Sequence, residues 1–450
     1  MRILLVQPPL DPTTSKLSAL GLSEPLALEY LAAALLPDHD VRILDLRVGG
    51  SLAEAMAELD PQLVGTGSVT VGLSRALGLL AEAKALSPGV TTVIGGVHPT
   101  LLPEDCRRAE VDIIVRGDGE HALAEIVRVL GLGGDLDQVA GIVYHDRKAD
   151  RWRATPRRQM PPLDSYSIPA RHLCDDHFPS YSRVGLGQVL TAITSRGCSR
   201  RCTFCSVWRF QDGKYRTRSP ELIVQELAER PEVAIYFVDD DSFGNLARME
   251  RLAYLLTTEL PGRTLKMNVR ADTVVRAPDL FARWAEAGLR MALIGLESFR
   301  DEELQQIDKR ATADENRHAL RILKEHHVGA VGYLIVRPDY RQDDFDRLAE
   351  SVDELAIEQP IFTTLTPFPG TVLFEQLKDQ LVLHDWDAFD GLTAVLPTAL
   401  PRPEFYHQLA NLYRRAYSRR MPVASTEGVP WFEQLARAIE EIEAPAPVEG

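Results

Sequence analysis

The chain has 450 residues, about three times a common domain length, so two or three folded units are expected. Its 45% hydrophobic and 26% charged residues suit a globular enzyme and exclude a disordered chain. With 50 Lys and Arg against 65 Asp and Glu the net charge is −15, which argues against broad electrostatic capture of nucleic acid.

From residue 1 to about 145, β-rich runs at 2–7, 41–46, 63–67, 91–95 and 113–116 alternate with stretches of helical periodicity such as 25–36 and 73–85. The alternation predicts a doubly wound parallel sheet, Rossmann-like, whose ligand lies beyond the carboxyl ends of the strands. Those ends carry Gln7-Pro8-Pro9-Leu10, Gly65-Thr66-Gly67-Ser68-Val69-Thr70, Gly95-Gly96-Val97-His98-Pro99 and Gly117-Asp118-Gly119-Glu120. Any one of these is an ordinary turn; four on one edge point to a large ligand.

Residues 147–187, with Pro156, Pro161, Pro162, Pro169 and Pro179, break the rhythm and read as a linker. A second alternation then predicts strands at 189–194, 234–238, 265–269, 291–294, 331–336 and 361–365, the six βα units of a partial (β/α)6 barrel with its active site at the strand C-termini. Helices are expected at 403–419 and 431–442, and a disordered tail at 444–450. The α/β organisation is thus 1–146, a doubly wound domain; 147–187, the linker; 188–390, the barrel; and 391–450, a small helical C-terminal region.

No apolar run reaches the roughly 18 residues of a membrane span, and the opening residues have neither a basic n-region nor a cleavage site, so a cytoplasmic protein is expected. Three of the five cysteines are Cys198, Cys202 and Cys205, a clustering that in a reducing compartment reads as metal ligation. Cys106 and Cys174 read as core thiols. Three thiolates on one loop can hold three irons of a [4Fe–4S] cube and leave the fourth open to an outside ligand. Zinc, completed by His172 or His177, is the plainer alternative, but closed zinc sites often pair two knuckles and there is no second one.

The segment Cys198-x3-Cys202-x2-Cys205 after the first barrel strand, with Phe204 before the last cysteine, resembles the radical S-adenosylmethionine (SAM) superfamily. The resemblance implies that the open iron binds SAM and that an electron from the cluster cleaves it to a 5′-deoxyadenosyl radical. It also implies SAM contacts at later strand ends: Asp240 or Asp241 for the amino group, Arg270 for the carboxylate, where bidentate pairing suits it, and Glu297 with Ser298 for the ribose. Read on the residues alone, such acids are commonly solvated and Arg270 can pair with Asp272.

Thr366-Pro367-Phe368-Pro369-Gly370-Thr371 is similar to a loop of the subfamily whose barrel follows a cobalamin-binding domain, which includes hopanoid and natural-product C-methylases and the anaerobic magnesium-protoporphyrin ester cyclase. Val336-Arg337-Pro338 departs from it, since many members carry glycine where Arg337 stands. The Gly95–Pro99 and Gly117–Glu120 loops resemble those of the cobalamin domain, and the likeness covers roughly residues 1 to 420. It implies that Gly95, Gly96 and Gly117 admit the corrin and that Ser68 and Thr70 line the slot for the nucleotide tail, with Pro9, Leu10, Arg47, His98 and Glu120 completing the cobalamin-binding set. Well-known cobalamin domains carry Asp-x-His-x-x-Gly; here the run is Asp45-Leu46-Arg47-Val48-Gly49-Gly50, and a guanidinium has no lone pair for cobalt. Cobalamin without a protein histidine ligand is therefore expected, with His98 either a replacement ligand or a hydrogen-bonding residue.

The function so implied is a cobalamin-dependent radical SAM C-methyltransferase, which moves a methyl group from methylcobalamin to an unactivated carbon after hydrogen abstraction by the 5′-deoxyadenosyl radical. A non-methylating cyclisation or rearrangement is the alternative. Trp208-Arg209-Phe210 and the run 392–417, with Phe405, Tyr406, Tyr413 and Tyr417, resemble the hopanoid branch and suggest a lipid, polyprenoid or natural-product substrate, although such aromatics also build cores. A reducing partner such as flavodoxin or ferredoxin is expected. RNA methylthiotransferases share the barrel but carry three N-terminal cysteines where this chain has Cys106 alone, so no nucleic-acid partner is expected.

Overall fold

Strand β1 (Arg2–Gln7) buries Ile3 and Leu5 on one face and Leu4 and Val6 on the other. A strand covered on both sides reads as an unbroken apolar run, the mark of a parallel sheet. The short β2 (Gly21–Leu22) leaves for the second sheet, and the chain returns for β3 (Asp40–Asp45), β4 (Leu63–Gly67), β5 (Thr91–Gly95) and β6 (Ile113–Val115). With β1 they form the expected parallel sheet, in the order β3-β1-β4-β5-β6. Helices Leu26–Ala33 and Glu120–Gly131 cover one face, Leu52–Leu59 and Leu73–Leu86 the other. The strand order reverses between β1 and β4, which opens a crevice at their carboxyl ends. The structure, a computed structural model, describes residues 1–9, 16, 21–230, 234–418 and 430–443.

Residues 147–187 are not all linker. β7 (Ile142–Asp146) and β8 (Arg151–Ala154) form an antiparallel hairpin that extends the first sheet to seven strands. Asp146 makes the turn by accepting from the amides of Lys148 and Ala149, and the Arg-rich β8 lies on the sheet edge, where charged side chains are tolerated. β9 (Ser182–Arg183) then pairs antiparallel with both β2 and β10 (Gly187–Ala192), so a strand from the N-terminal region ends the barrel sheet.

After β10 come a two-residue ladder, β11 (Ser195–Arg196) and β12 (Arg216–Thr217), and then β13 (Ala234–Phe237), β14 (Leu265–Val269), β15 (Leu289–Glu297), β16 (Gly329–Val336) and β17 (Gln359–Thr364). The barrel sheet runs β17-β16-β15-β14-β13-β10-β9-β2, six parallel strands and two antiparallel ones. β10 stops at Ala192, earlier than expected, because the buried Asp239 carboxylate takes the amides of Thr194 at 2.6 Å and Ser195 at 2.9 Å. Helices pack the outer face over Ile235, Phe237, Leu265 and Met267, while Met291, Leu293, Val331 and Ile361 fill the inside.

Helices Arg402–Ser418 and Trp431–Glu440 close the open side. Phe405, Tyr406, Tyr413 and Tyr417 are buried in the core. Tyr413 donates to Phe362 O at 2.7 Å and accepts from Phe362 N at 3.1 Å, and Tyr417 donates to Pro360 O at 2.9 Å. Their hydroxyls thus satisfy the edge of β17, which has no further strand beside it. Arg419, the end of the expected helix, and the expected tail 444–450 lie outside the described residues.

Candidate active site

The cysteine loop begins where the β11–β12 ladder pinches the chain, pairing Ser195 with Thr217 and Arg196 with Arg216. Gly197 follows with φ +90°, and a Cβ there would lie 2.0 Å from Lys214 O, so no other residue fits. Its amide donates to Asp240 Oδ2 at 2.8 Å. Further along, Thr203 N donates to Ile307 O and Leu373 N to Thr203 O, which ties the loop to the segments after β15 and β17. Phe204 packs on Ile307, Ile335, Leu365 and Leu373.

Burial raises the thiols of all three loop cysteines, to about 11 for Cys198 and about 12 for Cys205, and each of these two feels the charge of Cys202. Binding iron as thiolates therefore releases protons. Three thiols on one loop suit a cube, in which each thiolate takes a different iron.

The strand ends beside the loop hold complementary unsatisfied groups. Asp241 Oδ1 and Arg270 Nη2 are buried and have no hydrogen-bond partner. Asp241 Oδ2 accepts from the Cys198 thiol at 3.8 Å, and burial raises the Asp241 carboxyl; it also raises that of Asp240, to about 6. Arg270 Nε donates to Asp272 Oδ1 at 3.0 Å while Arg200 holds Asp272 Oδ2 at 2.5 Å. The pairing of Arg270 with Asp272 thus occupies only part of the guanidinium. An amino acid zwitterion satisfies both orphans, its ammonium at Asp241 and its carboxylate at Arg270, and this is how the residues present fit SAM.

Glu297 lies at φ +61° on a bulge of β15 and accepts from the buried Lys309 Nζ at 2.6 Å. Ser298 donates to Glu303. Lys309 and Arg200 received no role from the sequence, since nothing in their spacing shows that they end up beside Glu297 and Asp272, whereas the pairing of Arg270 with Asp272 was readable from their nearness in the chain.

In the N-terminal domain, Gly95, Gly96, Gly117 and Glu120 line an apolar cavity of about 270 Å³. Gly96 has φ +104°, and a Cβ there would lie 2.5 Å from Ser68 O, so the loops after β4 and β5 touch backbone to backbone. The opposite wall comes from the barrel: Ile193, Arg196, Phe210 and Gln211. Glycines with apolar walls at the carboxyl ends of a doubly wound sheet fit part of a large planar cofactor such as cobalamin.

Other expected contacts lie elsewhere. Ser68 Oγ donates to Val69 O in its own loop, and Thr70 Oγ1 meets His98 Nδ1 of the loop after β5 at 3.3 Å; Thr66 and Gly67 line the cavity. His98 is buried, with Nε2 3.2 Å from Asp105 Oδ2, so both ring nitrogens are engaged. Arg47 grips Asp45 through Nε at 2.8 Å and Nη2 at 2.6 Å. Pro9 is exposed, and Leu10 lies outside the described residues. Arg337 pairs with Asp339 and Gln306 on the surface.

A doubly wound cofactor domain joined to a three-cysteine partial barrel defines the class, and comparison with known proteins agrees. Residues 15–127 match the B12 binding domain model and residues 192–367 the radical SAM superfamily model. The chain is 29% identical to the hopanoid C-3 methylase of Methylococcus capsulatus over 88% of this chain and 77% of that protein. It is 28% identical to the anaerobic magnesium-protoporphyrin IX monomethyl ester cyclase of Cereibacter sphaeroides, over 82% of this chain and 62% of that one. The fold is that of the radical SAM methyltransferase TsrM from Kitasatospora setae, with TM-score 0.72, 16% identity, and 98% and 99% of the two chains covered. The chain thus joins a B12 binding domain to a radical SAM superfamily domain, the architecture of cobalamin-dependent radical SAM enzymes.

Proposed function

We propose that the protein is a C-methyltransferase that moves a methyl group from methylcobalamin to an unactivated carbon of a small molecule. One observation carries this reading: the cysteine loop, through Arg196, Phe210 and Gln211, and the cobalamin-side glycines 95, 96 and 117 wall the same cavity. When bound, the cluster and SAM supply a 5′-deoxyadenosyl radical for hydrogen abstraction and the cobalamin supplies the methyl group. Cys198, Cys202 and Cys205 hold the cluster. Asp241 and Arg270 orient the amino and carboxylate groups of SAM, with Asp240 bracing the loop through Gly197, and Glu297, fixed by Lys309, receives the ribose. Phe204, packed on the barrel rim, keeps water from that end of the site.

The substrate class to test first is a lipid, polyprenoid or natural-product intermediate, in keeping with the hopanoid methylase relative. The buried C-terminal aromatics recognise nothing in this reading; they build the core. Flavodoxin or ferredoxin is the proposed reductant. The proposed compartment is the cytoplasm, whose reducing potential keeps the loop cysteines as thiols. No described helix is long and apolar enough to cross a membrane.

A second reading, a non-methylating cyclisation, is favoured by the similarity to the cyclase. The test is mass spectrometry of SAM products from reconstituted protein supplied with cobalamin, reductant and candidate substrates without air. Matched 5′-deoxyadenosine and S-adenosylhomocysteine, with a labelled methyl group in one product, is the expected result. Substrate-dependent 5′-deoxyadenosine without S-adenosylhomocysteine selects the second reading.

A further inference from the structure

We propose that the outer face of the cysteine loop is the docking surface for an acidic one-electron carrier protein, an inference that rests on the radical reading above. The chain carries a net charge of −15, yet between Gly197 and Thr217 it holds Arg200, Arg201, Arg209, Lys214 and Arg216 against Asp212 alone. Two of these cations are spent inward, Arg200 on Asp272 and Arg216 on Asp118. Asp212 is itself neutralised by Arg157 at 2.6 Å. Arg201, Arg209 and Lys214 remain, all exposed and without a carboxylate partner among the described residues.

Two of these cations flank a path inward. The Arg201 and Arg209 guanidinium groups lie 5.9 and 4.6 Å from the centre of the Trp208 ring, and the indole N–H donates to Cys202 O at 3.1 Å. A protein seated on these side chains meets an aromatic ring one hydrogen bond away from a cysteine of the loop. The other faces of the loop are taken, by the barrel rim under Phe204 and by the interdomain cavity under Phe210.

Exposed arginines are common, and exposure alone argues nothing. These cations are concentrated on the loop that receives the electron, on a chain whose overall charge repels an acidic partner. Such a field steers the partner to this face and orients it there. The step is balanced simply: the carrier loses one electron, the cluster gains it, and no bond forms or breaks.

The experiment uses reconstituted protein and flavodoxin. Wild type is compared with an Arg201→Gln, Arg209→Gln, Lys214→Gln triple variant, and with Lys214→Glu alone, which leaves the arginine–tryptophan stack in place. Binding of oxidised flavodoxin is measured by calorimetric titration at low and high salt, and 5′-deoxyadenosine formation with flavodoxin hydroquinone or with dithionite. Flavodoxin affinity and the flavodoxin-driven rate are expected to fall about tenfold or more in the triple variant and less in Lys214→Glu, with wild-type binding weakening as salt rises and the dithionite-driven rate unchanged. Equal flavodoxin affinity and rate in wild type and the triple variant, or binding indifferent to salt, overturns the proposal. Failure of the radical reading looks different: wild type forms no 5′-deoxyadenosine with dithionite, while the titration still reports on the surface.

Discussion

Arg196 Nη2 donates to Glu120 Oε1 at 2.5 Å, and the guanidinium lies over the rings of Tyr30 and Tyr166, 5.6 and 5.1 Å from their centres. Arg196 stands two residues before Cys198, and Glu120 follows the Gly117 loop of the N-terminal domain, so one side chain joins the cysteine loop to the glycine loop of the other domain. Asp118 Oδ1 meets Arg196 Nη1 at 3.2 Å as well. The Arg196 and Glu120 side chains are 15% and 6% exposed, so removing one partner strands a charge with little water to solvate it. Arg196→Ala is expected to cost about 3–5 kcal/mol of stability, read from the shift in urea denaturation. Arg196→Lys keeps the charge but loses the flat stacking and the fork, and falls in between. A change within about 0.5 kcal/mol for the alanine variant, as at an ordinary surface position, would mean the contact is idle.

The lower face of the cobalamin gives the next expectation. Arg47 has no lone pair, and both nitrogens of His98 already face Thr70 and Asp105. Electron paramagnetic resonance of the cob(II)alamin-loaded wild type is therefore expected to lack nitrogen coupling from a protein imidazole. Coupling that disappears on His98→Ala would show instead that the loop opens and His98 ligates cobalt.

Much of this was legible in the sequence, and what was not has a common physical cause. The barrel strands and the parallel N-terminal strands announce themselves because covered faces make their runs rich in apolar residues, most plainly in β1 and β16. The cysteine loop is contiguous in sequence, so its spacing is readable directly. The roles of Arg196, Lys309 and Arg200 were not readable, because each acquires its partner only when separate segments assemble. β8 was hidden because its four residues, Arg151-Trp152-Arg153-Ala154, alternate over too short a run to stand out in a proline- and arginine-rich stretch. Ser68 and Thr70 were given to the slot for the nucleotide tail by resemblance alone, and nothing in the sequence pointed to the contacts their hydroxyls make, to Val69 O and to His98 Nδ1.

Lys309 acts through another residue, and its effect can be separated from cluster chemistry. Its ammonium holds Glu297 Oε1 at 2.6 Å, and both side chains are buried. The bulge that carries Glu297 stays open because Gly295 lies beneath it: a Cβ on Gly295 would come within 2.5 Å of Glu297 Oε1 and 2.8 Å of Lys309 Nζ. Lys309→Met is expected to weaken SAM binding about tenfold while the cluster absorption stays intact, with Lys309→Arg recovering part of it, measured by equilibrium binding to reconstituted protein. Gly295→Ala should move affinity the same way. Wild-type SAM affinity in both variants would remove Glu297 from the ribose assignment.

The pH dependence of stability has a specific source at the domain junction. Arg171 faces Glu24, Glu29 and Glu226 there, with Arg218 also on Glu226. Two cations cannot balance three carboxylates, and neither oxygen of Glu29 has a hydrogen-bond partner. Burial, and then the charge of Glu24, push the Glu29 carboxyl from its ordinary 4.5 up to about 8. The folded chain therefore keeps this proton over a range in which the unfolded chain has released it. The stability gained from neutral Glu29 is complete below about 4.5, declines as pH rises, and is gone once pH passes about 8. Glu29→Gln is isosteric with the protonated side chain and does not titrate, so the two proteins should match near pH 5 and diverge above it. By pH 8.5 the Gln variant is expected to be more stable by a few kcal/mol, roughly the linkage energy of a shift this large, read from urea midpoints across that range. Parallel curves for the two proteins over the whole range would show that Glu29 is ionised in the folded chain.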